Sequence, residues 1–358
     1  MNNEKFKGRG AQFNLKNRFE KLNIENFSGD EFDGFYSENS INKKVPTQYF
    51  KDNSKTVISV NDSADIDFDY SFNPYRGCEH GCIYCYARPS HEFLGFSSGL
   101  DFETKIMVKE DAPKLLEKEL KKKSYKPDII IFSGNTDCYQ PVESKLKLTR
   151  KALEVCLKYG NPVGLITKNA LVLRDLDILK EMSRKNLITV TITITSLNKI
   201  LTSKMEPRTS VPSKRLGTIM KLAENRIPVG VNIAPVIPGL NDEEIPSILK
   251  ASSEMGAEYA GFILLRLPYA VKDLFINWLN HEFPRRADKI INRIKDMRGG
   301  KLNNSEFGKR FSGEGEFAET IKKLFAISCN KYGLNKRDYG LSVKGFRKKA
   351  NEQLEMFT

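Results

Sequence analysis

The chain has 358 residues, and 58 Lys and Arg against 45 Asp and Glu give it a formal net charge of +13. This length excludes a small disulfide-held scaffold and predicts one large domain with extensions, or two domains. No apolar run of about 18 residues indicates a membrane span, and the first residues lack the apolar core of a signal peptide. We therefore expect a cytoplasmic protein with reduced thiols and no membrane partner. The charge admits nucleic acid as a partner without identifying it.

Residues 1–65 predict an irregular N-terminal extension, because they are rich in Asn, Gly, Ser and charge and lack sustained periodicity. Within this extension, Lys7-Gly8-Arg9-Gly10 forms a short basic patch with two glycines. Such a patch is typical of a flexible surface segment, so we expect it to lie in solvent.

Residues 66–265 alternate apolar, strand-like runs with amphipathic segments of helical length. The predicted strands lie near 69–76 and at Ile129–Phe132, Val163–Ile166, Ile188–Thr195, Val229–Ala234 and Tyr259–Leu264. The predicted helices cover 112–124, 145–159, 174–185, 212–225 and 243–255. This alternation predicts βαβ units around a parallel sheet, as in a partial or full β/α barrel, although a doubly wound sheet alternates in the same way.

Residues 266–358 predict a basic, helical C-terminal extension, with helices over 271–297 and 316–332. Residues 284–358 contain 18 Lys and Arg against 9 Asp and Glu, so +9 of the net charge lies beyond the predicted barrel. Phosphate contacts combined with stacking rings would suit nucleic acid, whereas a solvated charged face is the commoner meaning. The residues concerned are Arg266, Arg285, Arg286, Arg298, Lys301, Lys309 and Arg310, with Phe283, Phe307 and Phe311.

The most informative segment is NPYRGCEHGCIYCYAR, residues 73–88, which contains three of the six cysteines. Cys78, Cys82 and Cys85 have the spacing C-x3-C-x2-C. Thiolates are the usual ligands of iron–sulfur clusters, and three of them leave one iron of a [4Fe–4S] cluster open to a substrate or cofactor. A structural zinc site with His80 or His91 as fourth ligand is the alternative, in a non-catalytic zinc- or nucleic-acid-binding protein.

This spacing, with Tyr84 just before the last cysteine, resembles the radical S-adenosylmethionine (SAM) superfamily. The segments GNTDCYQPVE, EPRTSVPSKRL, PVGVNIAPVIPGLND and MRGGKLNNSEFGKRF look like a branch related to spore photoproduct lyase and often labelled DNA repair photolyase-like. The resemblance implies an α/β fold built on a partial (β/α)6 barrel, with a [4Fe–4S] cluster on the three cysteines and S-adenosylmethionine on the open iron.

The same resemblance implies a reaction. Reductive cleavage of S-adenosylmethionine yields a 5′-deoxyadenosyl radical, which abstracts hydrogen from a substrate. A reductant protein of flavodoxin or ferredoxin type is implied as the electron source. A nucleic-acid lesion is the leading substrate class, and a protein or a small metabolite is the alternative.

Active sites of β/α barrels lie at the carboxyl ends of the strands, so the segments just after the strands are the places to search. The candidate cofactor-binding residues are Tyr84, Ser133, Gly134, Asn135, Thr136, Asp137, Lys168, Thr193, Thr195 and Arg208. The resemblance implies that the small residues after the second strand approach the methionine amine of the cofactor. Lys168 would pair with its carboxylate or ribose, and Arg208 offers a bidentate fork for a carboxylate or phosphate. An ordinary turn, a surface lysine and a plain salt bridge are the respective alternatives.

The period of two places Thr189, Thr191, Thr193 and Thr195 on one face of the predicted strand Ile188–Thr195. Such a face would form a polar wall toward a ligand, and a polar barrel interior is the alternative.

The candidate catalytic residues are Cys138, Tyr139 and Tyr86. A cysteine near the radical would donate a hydrogen atom to a substrate radical, as a cysteine of the lyase does in this region. Cys138 follows Asp137, whereas the lyase cysteine precedes the corresponding run, so the match is not positional. The two tyrosines are candidate radical relays, with aromatic packing as the alternative.

Overall fold

The computed structural model describes residues 6–19, 45–66, 68–337 and 339–348. The strands found there are β1 Gln48–Lys51, β2 Ile58–Val60, β3 Tyr70–Phe72, β4 Tyr75–Arg76, β5 Lys105–Val108, β6 Ile130–Phe132, β7 Val163–Thr167, β8 Ile188–Thr193, β9 Val229–Val236 and β10 Tyr259–Leu264. The α-helices are α1 Asp101–Thr104, α2 Ala112–Leu120, α3 Glu143–Leu146, α4 Leu148–Tyr159, α5 Leu176–Arg184, α6 Lys199–Met205, α7 Pro212–Glu224, α8 Ile245–Glu254, α9 Val271–Glu282, α10 Ala287–Asp296 and α11 Glu316–Tyr332. None of the described helices is long and apolar enough to cross a membrane.

The main sheet has seven strands in the order β2-β3-β6-β7-β8-β9-β10. The last six run parallel to one another, and β2 pairs with β3 in the antiparallel direction. Spatial order follows chain order throughout the parallel strands, so the reversal that defines a doubly wound sheet is absent from the described part of the chain. The sheet is therefore a partial (β/α)6 barrel, which confirms the predicted fold class.

Helices α2, α4, α5, α7 and α8 cover the outer face of this sheet, and each contributes fully buried apolar side chains to one continuous core. These include Leu116, Leu153, Leu179, Leu222 and Leu249. On the strand side, Val190 and Ile192 of β8 belong to the same core, whereas the alternating Thr191 and Thr193 face the barrel interior, where Thr191 meets the hydroxyl of Tyr259 at 3.2 Å. The alternation of side chains between the two faces of this strand, predicted from the spacing of the threonines, is confirmed.

The C-terminal helices differ from the prediction in one respect. The segment 271–297 is two helices, α9 and α10, because Pro284 lies at the break and lacks the N–H that a continuous helix needs. Both helices pack on the cysteine-containing loop: Phe275 and Ile290 share a buried cluster with Ile83 and Tyr84. This part of the predicted extension therefore forms one wall of the region around the cysteines.

A second, three-stranded sheet in the order β1-β5-β4 was not predicted. Its strands have only two to four residues, and β1 is exposed along its whole length. Such short strands carry too few residues for a period-two pattern to be recognised. The sheet matters for function because β4 leads directly into the cysteine-containing loop.

Candidate active site

The loop after β4 brings the three spaced cysteines together. Cys78 and Cys82 are buried and Cys85 is half-buried, and none of them is in a disulfide. The amide of Cys78 donates to the carbonyl of Phe102 at 2.9 Å, which fixes the start of the loop. Gly77 and Gly81 have φ of +80° and +67°, so the loop uses the left-handed conformations that glycine adopts at little cost.

The chemistry of this donor set fits an iron–sulfur cluster. Burial raises the pKa of all three thiols, so the thiolates need a bound cation to form. In the described part of the chain, no three His, Cys, Asp or Glu side chains converge on a single metal position. A [4Fe–4S] cluster does not require such convergence, because it presents a separate iron to each thiolate.

The two histidines proposed as a fourth zinc ligand have other partners. The Nδ1 atom of His80 lies 3.4 Å from the carboxylate of Asp137, and its Nε2 lies 3.2 Å from the amide nitrogen of Asn169. The Nε2 atom of His91 lies 2.8 Å from the carbonyl of Lys105. The donor set is therefore three thiols, which favours the cluster over the zinc alternative.

The N-terminal segment packs directly against the cysteine-containing loop. The buried carboxylate of Glu103 accepts the backbone N–H of Gly10 and Ala11 at 3.0 and 2.7 Å and pairs with the fully buried Arg88. A Cβ on Gly10 would lie 1.8 Å from the carbonyl oxygen of Gly81, so this contact tolerates glycine alone. The expectation of a flexible surface segment is wrong for Arg9 and Gly10, which are both buried. The guanidinium of Arg9 donates to the backbone carbonyls of Glu103 and Val45, and the amide of Gly10 donates to the Glu103 carboxylate, so the buried polar groups are satisfied.

A cavity of about 220 Å³ opens at the carboxyl ends of the parallel strands. The side chains of Cys82 and Cys85 lie in its wall. Most of the predicted cofactor-binding residues also line it, namely Tyr84, Ser133, Gly134, Asn135, Thr136, Asp137, Lys168 and Thr193, together with the predicted relay Tyr86. Sites of β/α barrels are expected at the carboxyl ends of the strands. The cavity at this position has two of the thiols and most of the predicted cofactor-binding residues in its wall.

The turn after β6 presents a backbone carbonyl at this cavity. Ser133 and Gly134 have φ of +100° and +103°, and the Ser133 hydroxyl holds the turn by donating to the carbonyl of Ile166 at 2.6 Å. The amides of Asn135 and Thr136 both donate to the side-chain oxygen of Asn73 at 3.2 Å. The N–H groups of Asn135 and Thr136 are thus occupied, while the Gly134 carbonyl accepts the hydroxyl of Tyr86.

Asp137 ties three loops of the site together. Its carboxylate accepts from the Thr167 hydroxyl at 2.7 Å and the Lys168 amide at 2.8 Å, and it faces His80. Burial opposes its ionisation, but attraction to His80 and these hydrogen bonds outweigh burial and lower the pKa of Asp137. The charged carboxylate therefore connects the cysteine-containing loop to the ends of β6 and β7.

Glu206 is the centre of a buried network that the sequence analysis did not select. It accepts from the hydroxyls of Tyr84 and Thr195, pairs with Arg215, and lies 3.3 Å from the ammonium of Lys168. Burial opposes its charge, but the two cations outweigh burial and keep the pKa of Glu206 below its usual range. Glu206 stands two residues before Arg208, and only its full burial distinguishes it from a surface acid.

The predicted cluster ligand Cys78 is not part of the cavity wall, and four of the predicted cofactor-binding and catalytic residues also lie away from it. The guanidinium of Arg208 pairs with Glu79 at 3.3 Å, so Arg208 forms the salt bridge that was the alternative to binding a carboxylate or phosphate. Thr195 is buried behind the wall and contacts Glu206. The side chains of Cys138 and Tyr139 are fully buried in the main core, and the Tyr139 hydroxyl donates to Asp175 at 2.9 Å.

Comparisons with known proteins agree with this architecture. The model of the radical SAM superfamily matches residues 72–251. An uncharacterized protein of Mycobacterium tuberculosis is 30% identical over 240 residues, covering 66% of this chain and 69% of that protein. An uncharacterized protein of Methanocaldococcus jannaschii is 34% identical over 240 residues, covering 63% of this chain and 86% of that protein.

Solved structures of spore photoproduct lyase share the fold. The lyase complexed with dinucleoside spore photoproduct matches with a TM-score of 0.58 at 17% identity, over 85% of this chain and 86% of that one. A lyase variant with bound AdoMet and the same dinucleoside matches with a TM-score of 0.57 at 18% identity, over 80% of each chain. With the family model matched across half of the chain, including the cysteine-containing loop and the four parallel strands β6 to β9, the chain belongs to the radical SAM superfamily.

Proposed function

We propose that this protein is a radical SAM enzyme in which Cys78, Cys82 and Cys85 hold a [4Fe–4S] cluster beside the cavity at the strand ends. The observation that carries the proposal is the position of the thiols: Cys82 and Cys85 form part of the cavity wall, in a chain that belongs to this superfamily. Such a cluster, reduced by a protein of flavodoxin or ferredoxin type, would bind S-adenosylmethionine at its open iron and would supply a 5′-deoxyadenosyl radical for the abstraction of hydrogen from the substrate.

The residues of the cavity have roles that fit this cofactor. The Gly134 carbonyl is an acceptor suited to an amine, and Lys168 brings a positive charge suited to a carboxylate or a ribose hydroxyl. Lys168 is held in place by the carbonyl of Ala234 at 3.0 Å and by Glu206. The apolar Ile263 and Leu265 complete the wall and keep water away from reactive groups.

For the substrate, we propose a nucleic-acid lesion. Two observations support this class: the lyase structures with the same fold contain a dinucleoside photoproduct, and +9 of the net charge lies in residues 284–358. Cys138 is buried in the core, so a hydrogen-atom donor for the substrate radical would have to be another group of the cavity, of which Tyr86 is the exposed candidate.

The cluster assignment is tested by iron content after anaerobic reconstitution. We expect the wild-type protein to bind about four iron atoms with visible charge-transfer absorbance, and the Cys82→Ala variant to lose most of both, because one of three ligands is missing. Cys329→Ala is the matched control, since this buried thiol lies in α11 outside the cavity, and it should keep full iron content. Equal iron and absorbance in Cys82→Ala and wild type would show that the assignment is wrong.

A further inference from the structure

A row of alternating rings and guanidinium groups leads from the cavity to the surface. The guanidinium of Arg266 lies 5.4 Å from the ring centre of Tyr86 and 4.8 Å from that of Phe311. The guanidinium of Arg310 lies 4.8 Å from the rings of both Phe311 and Phe307. Tyr86 and Arg266 line the cavity, whereas Phe307 is 60% exposed. We call these five side chains, in the order Tyr86, Arg266, Phe311, Arg310, Phe307, the ladder.

The ladder is rigidly attached to the barrel. Arg298 is fully buried and donates to the carbonyls of Lys309, Arg310 and Leu265 at 2.9, 2.9 and 2.7 Å. The amide of Leu264 donates to the carbonyl of Phe311 at 2.9 Å, so the loop joins the end of β10 directly. A binding surface has to be held in a fixed position, whereas a solvated loop does not. The anchoring of this loop next to the cavity therefore favours a binding role.

The two cations of the ladder differ in their partners. Arg310 is compensated by Asp65, which accepts from its Nε at 2.8 Å. Arg266 packs between rings, and its buried Nε has no hydrogen-bond partner among residues 6–19, 45–66, 68–337 and 339–348. The carboxylate that acts on Arg266, Asp65, is paired with Arg310, and no described residue forms a direct ion pair with Arg266. A guanidinium that is half-removed from water and lines a cavity without a direct ion pair attracts an anion.

We propose that the ladder is a binding path for single-stranded or extruded nucleotides, with a phosphodiester on Arg266 and a base stacked on Phe307. Guanidinium groups interleaved with rings are the combination by which proteins bind single-stranded nucleic acid: cations contact phosphates, and rings stack on bases. Because the path ends at the cavity that contains Cys82 and Cys85, it would bring a nucleotide to the reactive site. This inference rests on the proposed function and names the residues, from the cavity wall outward to Phe307, by which the protein would bind its nucleic-acid substrate.

The test is fluorescence anisotropy of a labelled deoxythymidine oligonucleotide of about 12 nucleotides with the reconstituted protein. We expect Arg266→Gln to weaken binding about tenfold and to reduce the slope of log K against log salt by about 0.7, the value for one phosphate contact on a single strand. Arg184→Gln is the matched control, because it removes the same charge at the exposed end of α5, and it should bind like wild type.

Stacking is tested separately at the exposed end of the ladder. Phe307→Ala should weaken binding by about fivefold or more, and Phe307→Trp should restore it, because any large ring offers a face to a base. Equal binding by Arg266→Gln and Arg184→Gln, or equal affinity for a polyglutamate peptide of the same charge, would overturn the proposal. Formation of 5′-deoxyadenosine without oligonucleotide is measured in parallel, so that failure of the ladder and failure of the radical chemistry are distinguished.

Discussion

Replacing Glu206 by glutamine is expected to lower the free energy of unfolding by about 3–5 kcal/mol. The carboxylate is fully buried, and it is the counter-ion of Arg215, which is buried, and of Lys168, which is largely so. Glutamine keeps the size of the side chain but leaves both cations uncompensated. Urea denaturation followed by circular dichroism measures the change. The exposed pair Glu181–Lys185 provides the control, and Glu181→Gln should cost less than about 0.5 kcal/mol.

The effect of Glu206→Gln depends on pH in a defined direction. Although burial opposes the charge, Arg215 and Lys168 lower the pKa of Glu206 below its ordinary value of 4.5. A group whose pKa is lower in the folded state stabilises the fold above the unfolded pKa and loses that contribution as the pH falls. The stability difference between wild type and variant should therefore be constant from about pH 8 to about pH 5 and shrink toward about pH 3. A difference that does not change with pH would contradict the assigned charge.

Replacing Gly10 by alanine is expected to detach the N-terminal segment from the cysteine-containing loop. The new Cβ would lie 1.8 Å from the carbonyl oxygen of Gly81 and 3.0 Å from its carbonyl carbon, and backbone atoms cannot move aside as a flexible side chain can. The hydrogen bonds from Gly10 and Ala11 to Glu103 would be lost with the contact. We expect the bound cluster to be bleached by a chelator about tenfold faster than in wild type, and the segment to be cleaved earlier by protease.

Gly217→Ala is the matched control for this substitution. Gly217 lies within α7, and a Cβ there has nothing within 4 Å. Alanine in a helix interior is favoured over glycine by about 1 kcal/mol, so this variant should be slightly more stable and should bleach at the wild-type rate. If Gly10→Ala and Gly217→Ala bleached equally slowly, the N-terminal segment would have no role in protecting the cysteine-containing loop.

Much of the barrel could be predicted because its signals are local and periodic. The limits of α11 and β10 match the predicted ranges, and the threonines of β8 alternate as their spacing indicates. The cavity followed from a general rule: side chains at the carboxyl ends of parallel strands meet. Eight of the ten predicted cofactor-binding residues line it for this reason, and Cys82 and Cys85 lie in the same wall.

The parts that could not be predicted depend on contacts between residues distant in sequence. Glu206 appears in the sequence as one acid among 45, and its role follows from burial beside Arg215 and Lys168. The N-terminal residues appear flexible because nothing near them in sequence reveals Glu103, some 90 positions later, as their acceptor. Cys138 is adjacent to a cavity residue, but the turn directs it into the core. A residue that is next to a cavity residue in the sequence therefore need not line the cavity.

The central claim is tested most directly by the products formed from S-adenosylmethionine. Reconstituted wild-type protein, incubated anaerobically with S-adenosylmethionine and dithionite, should form 5′-deoxyadenosine and methionine, as measured by liquid chromatography and mass spectrometry. Cys82→Ala should form neither above background, and Cys329→Ala should match wild type. Formation of 5′-deoxyadenosine by Cys82→Ala at the wild-type rate, or its absence from wild-type protein that contains about four iron atoms, would contradict the account.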